Sequence, residues 1–246
     1  MGYLMKVTLV GLISGITGTS IGGLMAVFIG NVSNRMLSLI LEFSAGLMTS
    51  VVCFELIPEA FDQGGMFLTV AGIVSGIITI ILIESYISSC DFAKKRNNKS
   101  SLLRAGILMA IGIALHNFPE GFAVGSGFGA SVKLGITLTA VIIIHDIPEG
   151  IAMAVPMRAG GFSRLKAFTL TFLSGIPMGL GALMGAWLGE ISKAFIAVCL
   201  GFAAGAMLYV VYGELVVESK KLYLGRLPSI GNILGIICGI IICMCS

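Results

Sequence analysis

Two six-residue motifs carry the chemistry of this chain, HNFPEG at 116–121 and HDIPEG at 145–150. In each, a histidine stands four residues before a glutamate, so on a helix His116 pairs with Glu120 and His145 with Glu149 on one face, and each pair can grip a single ion. Imidazole and carboxylate together suit zinc, and also iron(II), manganese or cobalt. These are the only two histidines in the chain. Pro119 and Pro148 lie inside the spacing and lack an amide donor, which frees the carbonyls of Leu115 and Ile144 to coordinate water or metal. Asn117 and Asp146 follow each histidine by one residue, rotated about 100 degrees, and can reach a neighbouring subsite or hydrogen-bond the first.

The elements that position these motifs are membrane helices. Of 246 residues, 57% are hydrophobic and 11% charged, where a soluble domain carries charge on about a quarter. Apolar segments run near 4–30, 36–58, 66–89, 104–127, 134–157, 167–189, 194–217 and 229–245, each long enough for a bilayer core that needs roughly 20 residues per helix. The expectation is an all-α integral membrane protein of eight spans, a single transmembrane domain over 1–246. Both motifs then lie in mid-membrane, the first in the fourth span and the second in the fifth. A buried carboxylate there costs about 2.5 to 3.5 kcal/mol, and a divalent cation would neutralise Glu120, Asp146 and Glu149 together. The first apolar stretch lacks a clear cleavage site and is expected to remain as a helix. Glycines recur at spacing four, as in Gly72/Gly76 and Gly201/Gly205, and let helices approach closely in lipid. The six cysteines form no CxxC zinc spacing and read as small apolar fillers. Met48, a soft thioether in the second span, reads as a core filler on sequence alone.

Basic residues set the orientation. With eight spans, Arg35, Lys94, Lys95, Arg96, Lys99, Arg104, Arg158, Arg164, Lys166, Lys220, Lys221 and Arg226 collect on one side, and Lys6, Lys133 and Lys193 on the other. The crowded side is cytoplasmic, so both termini are expected outside and 91–103 forms a basic cytoplasmic loop. A small net charge of +3 held in short loops gives no groove for nucleic acid.

The chain also repeats itself. FSAGLMTSVVCFELIPEA at 43–60 recurs as FAAGAMLYVVYGELVVES at 202–219, aligning Glu55 with Glu214 and Glu59 with Glu218. The two copies fall in spans of opposite direction, as do the two histidine motifs. Inverted repeats are therefore expected, spans 1–3 against 6–8 and span 4 against 5, with substrate held near the midplane between them. The glutamate pairs would form acidic vestibules, Glu55 and Glu59 outward, Glu214 and Glu218 toward the cytoplasm, where they attract cations.

HNFPEG and HDIPEG in consecutive spans, with FSAGLM…ELIPEA before and FAAGAMLYVVYGEL after, resemble the ZIP family of zinc and iron transporters over nearly the whole chain. The resemblance implies uptake of zinc, and of iron, manganese, cobalt or cadmium as alternatives, into the cytoplasm by a homodimer in a prokaryotic inner membrane. No enzyme activity and no cofactor are implied, since the metal is the substrate. Carried over by position, His116, Glu120, His145 and Glu149 bind the ion, Met48 approaches it, and Asn117 and Asp146 match a second, adjacent site of some relatives. Spans 1, 4, 5 and 6 rock against the remainder.

The departures are specific. Met178 in SGIPMGLGA stands where many relatives place a Glu, which argues for one ion instead of two. Glu55 replaces a common His, Val217 replaces a common Pro, and the loop has no His-rich tract. An intramembrane zinc hydrolase is the competing reading, but the chain has no HExxH and its two equivalent half-sites suit transit better than bond cleavage. A ligand-sensing receptor is disfavoured by the short loops.

Overall fold

The computed structural model describes residues 2–29, 33–89, 100–159 and 161–245, apart from some side chains that include His116; of the expected 91–103 loop, 91–99 lie outside the described residues and 100–103 are already helical. Every regular element among them is helical: α1 (Tyr3–Ile29), α2 (Asn34–Val51), α3 (Ile57–Ser89), α4 (Ser100–Ala130), α5 (Val132–Ala159), α6 (Arg164–Ser174), α7 (Ile176–Gly189), α8 (Lys193–Val210), α9 (Val216–Leu222) and α10 (Leu227–Cys245). π-Helical turns at Val52–Leu56 and Val211–Leu215 join α2 to α3 and α8 to α9. Six stretches are long and apolar enough to cross a membrane, 3–26, 34–85, 132–155, 164–189, 193–222 and 227–244. Serines start the helices where the sequence changes from loop to apolar run. Ser33, Ser131, Ser163 and Ser192 each accept from a backbone amide three residues on, at 3.1 to 3.4 Å, satisfying a donor that the first turn leaves open.

The helices pack in two sets. The most extensive pairings join α4 to α7, α1 to α5, α4 to α5 and α1 to α7 in one set, and α3 to α8 and α2 to α10 in the other. Glycine makes these contacts possible. A methyl group at Gly121 would strike the carbonyl of Met178, and one at Gly76 the carbonyl of Phe202, so at both places backbone rests on backbone with no room for a side chain. Between the sets the contacts include larger apolar side chains, such as Phe122 edge-on to Phe202 with ring centroids 5.5 Å apart.

Two boundaries differ from the sequence expectation. The helix after the first π-turn continues past 58 and bends only at Gly65, whose φ of 73 and ψ of 178 suit glycine alone. The run 167–189, expected to be one span, is interrupted between Ser174 and Ile176. Pro177 causes that break, because it has no amide for the carbonyl of Leu173 and its ring crowds that carbonyl. Pro119 and Pro148, by contrast, sit inside uninterrupted helices.

The internal repeat has a structural counterpart. The two π-turns stand 159 residues apart, the offset that aligns Glu55 with Glu214. Residues 51–60 and 210–219 follow the same order of buried, half-buried and exposed positions residue by residue. Pro58 is not what makes the π-turn, since Val217 occupies the equivalent place after the second one.

Candidate metal centre

The centre is built on the α4–α5 hairpin, whose connection is Ser131 alone. Asn117 and His145 each stand fourteen residues from Ser131, so the two motifs lie level, and His145 and Asp146 straddle the middle of α5. At about 1.5 Å per residue the motifs sit roughly 21 Å from the turn.

One ligand atom each from Glu120, His145 and Glu149 lies within 4.8 Å of the others, and all three residues are buried. The imidazole of His145 is at the middle of the cluster. Its Nε2 is 3.2 Å from Glu120 Oε1, and its Nδ1 is 3.4 Å from Asp146 Oδ1 and 3.9 Å from Glu149 Oε1. Three carboxylates thus converge on one imidazole in a region closed to solvent, an arrangement that a dication stabilises by neutralising charge which burial makes costly. His116 belongs to α4 one turn before Glu120, but its side chain lies outside the described residues.

Neighbouring helices fix the cluster from three directions. Asn117 is fully buried and donates from Nδ2 to the carbonyl of Ser174, 2.7 Å away at the break between α6 and α7, while its Oδ1 has no hydrogen-bond partner among the described residues. From α1, Gly18 rests against Asp146, and Ser14 donates to the thioether of Met178 at 3.4 Å. Met178 is fully buried just beyond the break and beside Gly121, on the flank of the cluster where the sequence reading expected a missing carboxylate. From α2, the hydroxyl of Ser44 donates to the carbonyl of His145 at 3.2 Å, with Met48 fully buried one turn further along. Hydropathy and motif spacing gave no signal for Ser14 or Ser44, which are small polar residues in apolar helices. The break at Ser174 did have one, the GIP sequence at 175–177.

The four glutamates expected to form acidic vestibules lie outside this cluster. Glu55 and Glu214 are half-buried in the two π-turns, Glu55 within hydrogen-bonding reach of Cys243 and near Lys133. Glu59 accepts from Gln63 at 2.7 Å, and Glu218 pairs with Lys221 at 3.0 Å, each along its own helix surface. Two further carboxylates of the apolar runs serve as interhelical acceptors, Glu42 from Asn232 at 2.9 Å and Glu84 from Tyr209 at 2.6 Å.

Comparison with known proteins gives the family. A family model described as ZIP zinc transporter matches residues 93–245. The zinc transporter ZupT of Chlorobium limicola is 36% identical over 244 residues, covering 91% of each chain. The chain belongs to the ZIP family. The ZupT zinc transporters of Lysinibacillus sphaericus, 35% identical with 82% of this chain and 84% of that one covered, and of Corynebacterium glutamicum, 36% identical with 80% and 82% covered, extend the match across bacteria. As a ZIP-family chain it is a multi-pass, all-α membrane transporter and not an enzyme. Zinc is therefore its transported substrate, and no cofactor is implied.

Proposed function

We propose that this ZIP-family chain carries zinc into the cytoplasm, holding one ion at a time between His116, Glu120, His145 and Glu149. The observation that carries the reading is the convergence of Glu120, His145 and Glu149 within 4.8 Å, buried halfway along α5. Met48, Asn117 and Asp146 border the ion and assist its capture and release, while Glu55 and Glu59 draw it in and Glu214 and Glu218 draw it out. Iron(II), manganese, cobalt and cadmium fit the same mixed donor set and are competing cargoes.

The reading includes eight membrane passes with inverted repeats. The stretch 34–85 divides into two passes at Gly65, and the 31 residues of α4 add one more to the remaining five apolar stretches. The matched π-turns support the repeat. So do the pairings, because α3 on α8 mirrors α10 on α2, and α1 on α5 mirrors α7 on α4. Both termini then face outward and the basic segment around Lys94 to Lys99 faces the cytoplasm of a prokaryotic inner membrane, with the protein a homodimer. The two glycine-packed helix sets support transport in which α1 and α4–α7 move as one body against the rest.

Purified protein in liposomes holding a zinc-sensitive dye tests the reading. Saturable zinc entry that competing dications reduce is the expected result. Absence of entry from well-inserted protein would refute it.

A further inference from the structure

Among the described residues, most interhelical side-chain hydrogen bonds stay within one helix set. Ser14 with Met178 and Asn117 with Ser174 lie within the first set, and Ser38 with Ser219, Asn232 with Glu42 and Tyr209 with Glu84 within the second. Two contacts cross between the sets, the weak thiol contact of Cys199 on α8 with Ser126 on α4 and the hydroxyl bond of Ser44. The hydroxyl of Ser44, on α2 of the second set, crosses to the backbone carbonyl of His145 on α5 of the first.

We propose that this bond is a latch, in which Ser44 fixes the register of the metal-holding helices against the α2–α3 and α8–α10 set and must release His145 before the ion can pass inward. The inference rests on the transport reading above. Its physical basis is the difference between the two kinds of contact across the seam. Apolar contacts such as Phe122 on Phe202 can be exchanged for others when the sets shift, with no polar group left unpaired. A hydrogen bond is already 3.2 Å long here and is lost when its atoms separate by a few tenths of an ångström more.

The choice of acceptor matters as well. Ser44 holds the backbone of His145 and leaves the imidazole free to face Glu120, Asp146 and Glu149. Metal can load without disturbing the latch directly, and only its passage inward requires the bond to open. Opening is reversible, because the released hydroxyl can turn back to the carbonyl of Ile40, four residues earlier on its own helix. Ser44 is thus a positioning residue, acting on transport through the backbone of His145 and not through contact with the ion.

The test compares Ser44→Ala with Ser44→Thr in zinc-loaded liposome flux, with equilibrium zinc binding measured on the same preparations. A net hydrogen bond corresponds to roughly a two- to tenfold change in an equilibrium. Ser44→Ala is expected to raise maximal flux by about that factor, with the half-saturating zinc concentration and the dissociation constant within about twofold of the unmodified protein. Ser44→Thr keeps the hydroxyl and should match the unmodified protein. Unchanged maximal flux in Ser44→Ala would overturn the latch, and so would a fall in zinc affinity, which would make Ser44 a support of the site instead. If the alanine variant fails to insert, Ser44→Cys, close in size and a weak donor, gives the same comparison. Absence of flux from the unmodified protein would refute the transport reading itself, and the latch with it.

Discussion

Replacing Glu120 with glutamine keeps the shape of the side chain and removes one negative charge from the centre. The ligand atoms of Glu120, His145 and Glu149 lie within 4.8 Å of one another, so an ion among them stands inside 4 Å of each. Two unit charges 4 Å apart interact by about 4 kcal/mol at an effective dielectric of 20, and a dication doubles that to about 8 kcal/mol. Most of this is offset by the cost of stripping water from ion and ligand. If only a quarter survives, about 2 kcal/mol, zinc binding weakens by roughly 30-fold. The metal-free protein should not suffer, because Glu120→Gln relieves repulsion among three buried carboxylates. Equilibrium dialysis with radioactive zinc on detergent-purified protein reads the affinity, and size-exclusion chromatography confirms that the variant is intact. An intact Glu120→Gln protein that binds zinc within about threefold of the unmodified chain would refute the charge-neutralisation argument.

Three further predictions follow from particular residues. A cysteine introduced at Asn97, in a background without native thiols, should react with an impermeant maleimide only after the membrane is opened; labelling from outside intact cells would overturn the orientation. Met178→Glu should add a second, adjacent zinc site in a metal titration, because two dications about 4 Å apart repel by roughly 16 kcal/mol at a dielectric of 20 and need further negative charge. Two tight sites in the unmodified protein would refute that. Gly121→Ala forces a methyl group onto the backbone carbonyl of Met178 and should destabilise the protein by about 1 to 3 kcal/mol. Gly213→Ala, whose methyl would meet nothing closer than 3.6 Å, should leave the detergent melting temperature nearly unchanged.

The sequence by itself determined that histidine and glutamate share one helical face in each motif and that both motifs lie in apolar helices. Histidine and glutamate four residues apart share a helical face whatever surrounds them, and an apolar run of 20 residues has few stable alternatives to a spanning helix. Local periodicity is enough for both conclusions. The copy of 43–60 at 202–219 was equally legible, and the matched π-turns at Val52–Leu56 and Val211–Leu215 are its structural form. Tertiary structure alone decided how the motifs meet. Glu120 approaches the far nitrogen of His145 because the hairpin at Ser131 sets the two helices level, and no spacing within either motif contains that distance. It also decided that α6 stops at Ser174 to accept from Asn117, and that Pro177 breaks its span while Pro119 and Pro148 leave theirs whole. A missing amide is a local fact, but whether the helix opens there depends on what the neighbouring helices offer its freed carbonyls. Ser44 makes the same point most sharply: a serine in an apolar helix has no meaning in the sequence until packing brings it to the carbonyl of a histidine 101 residues away.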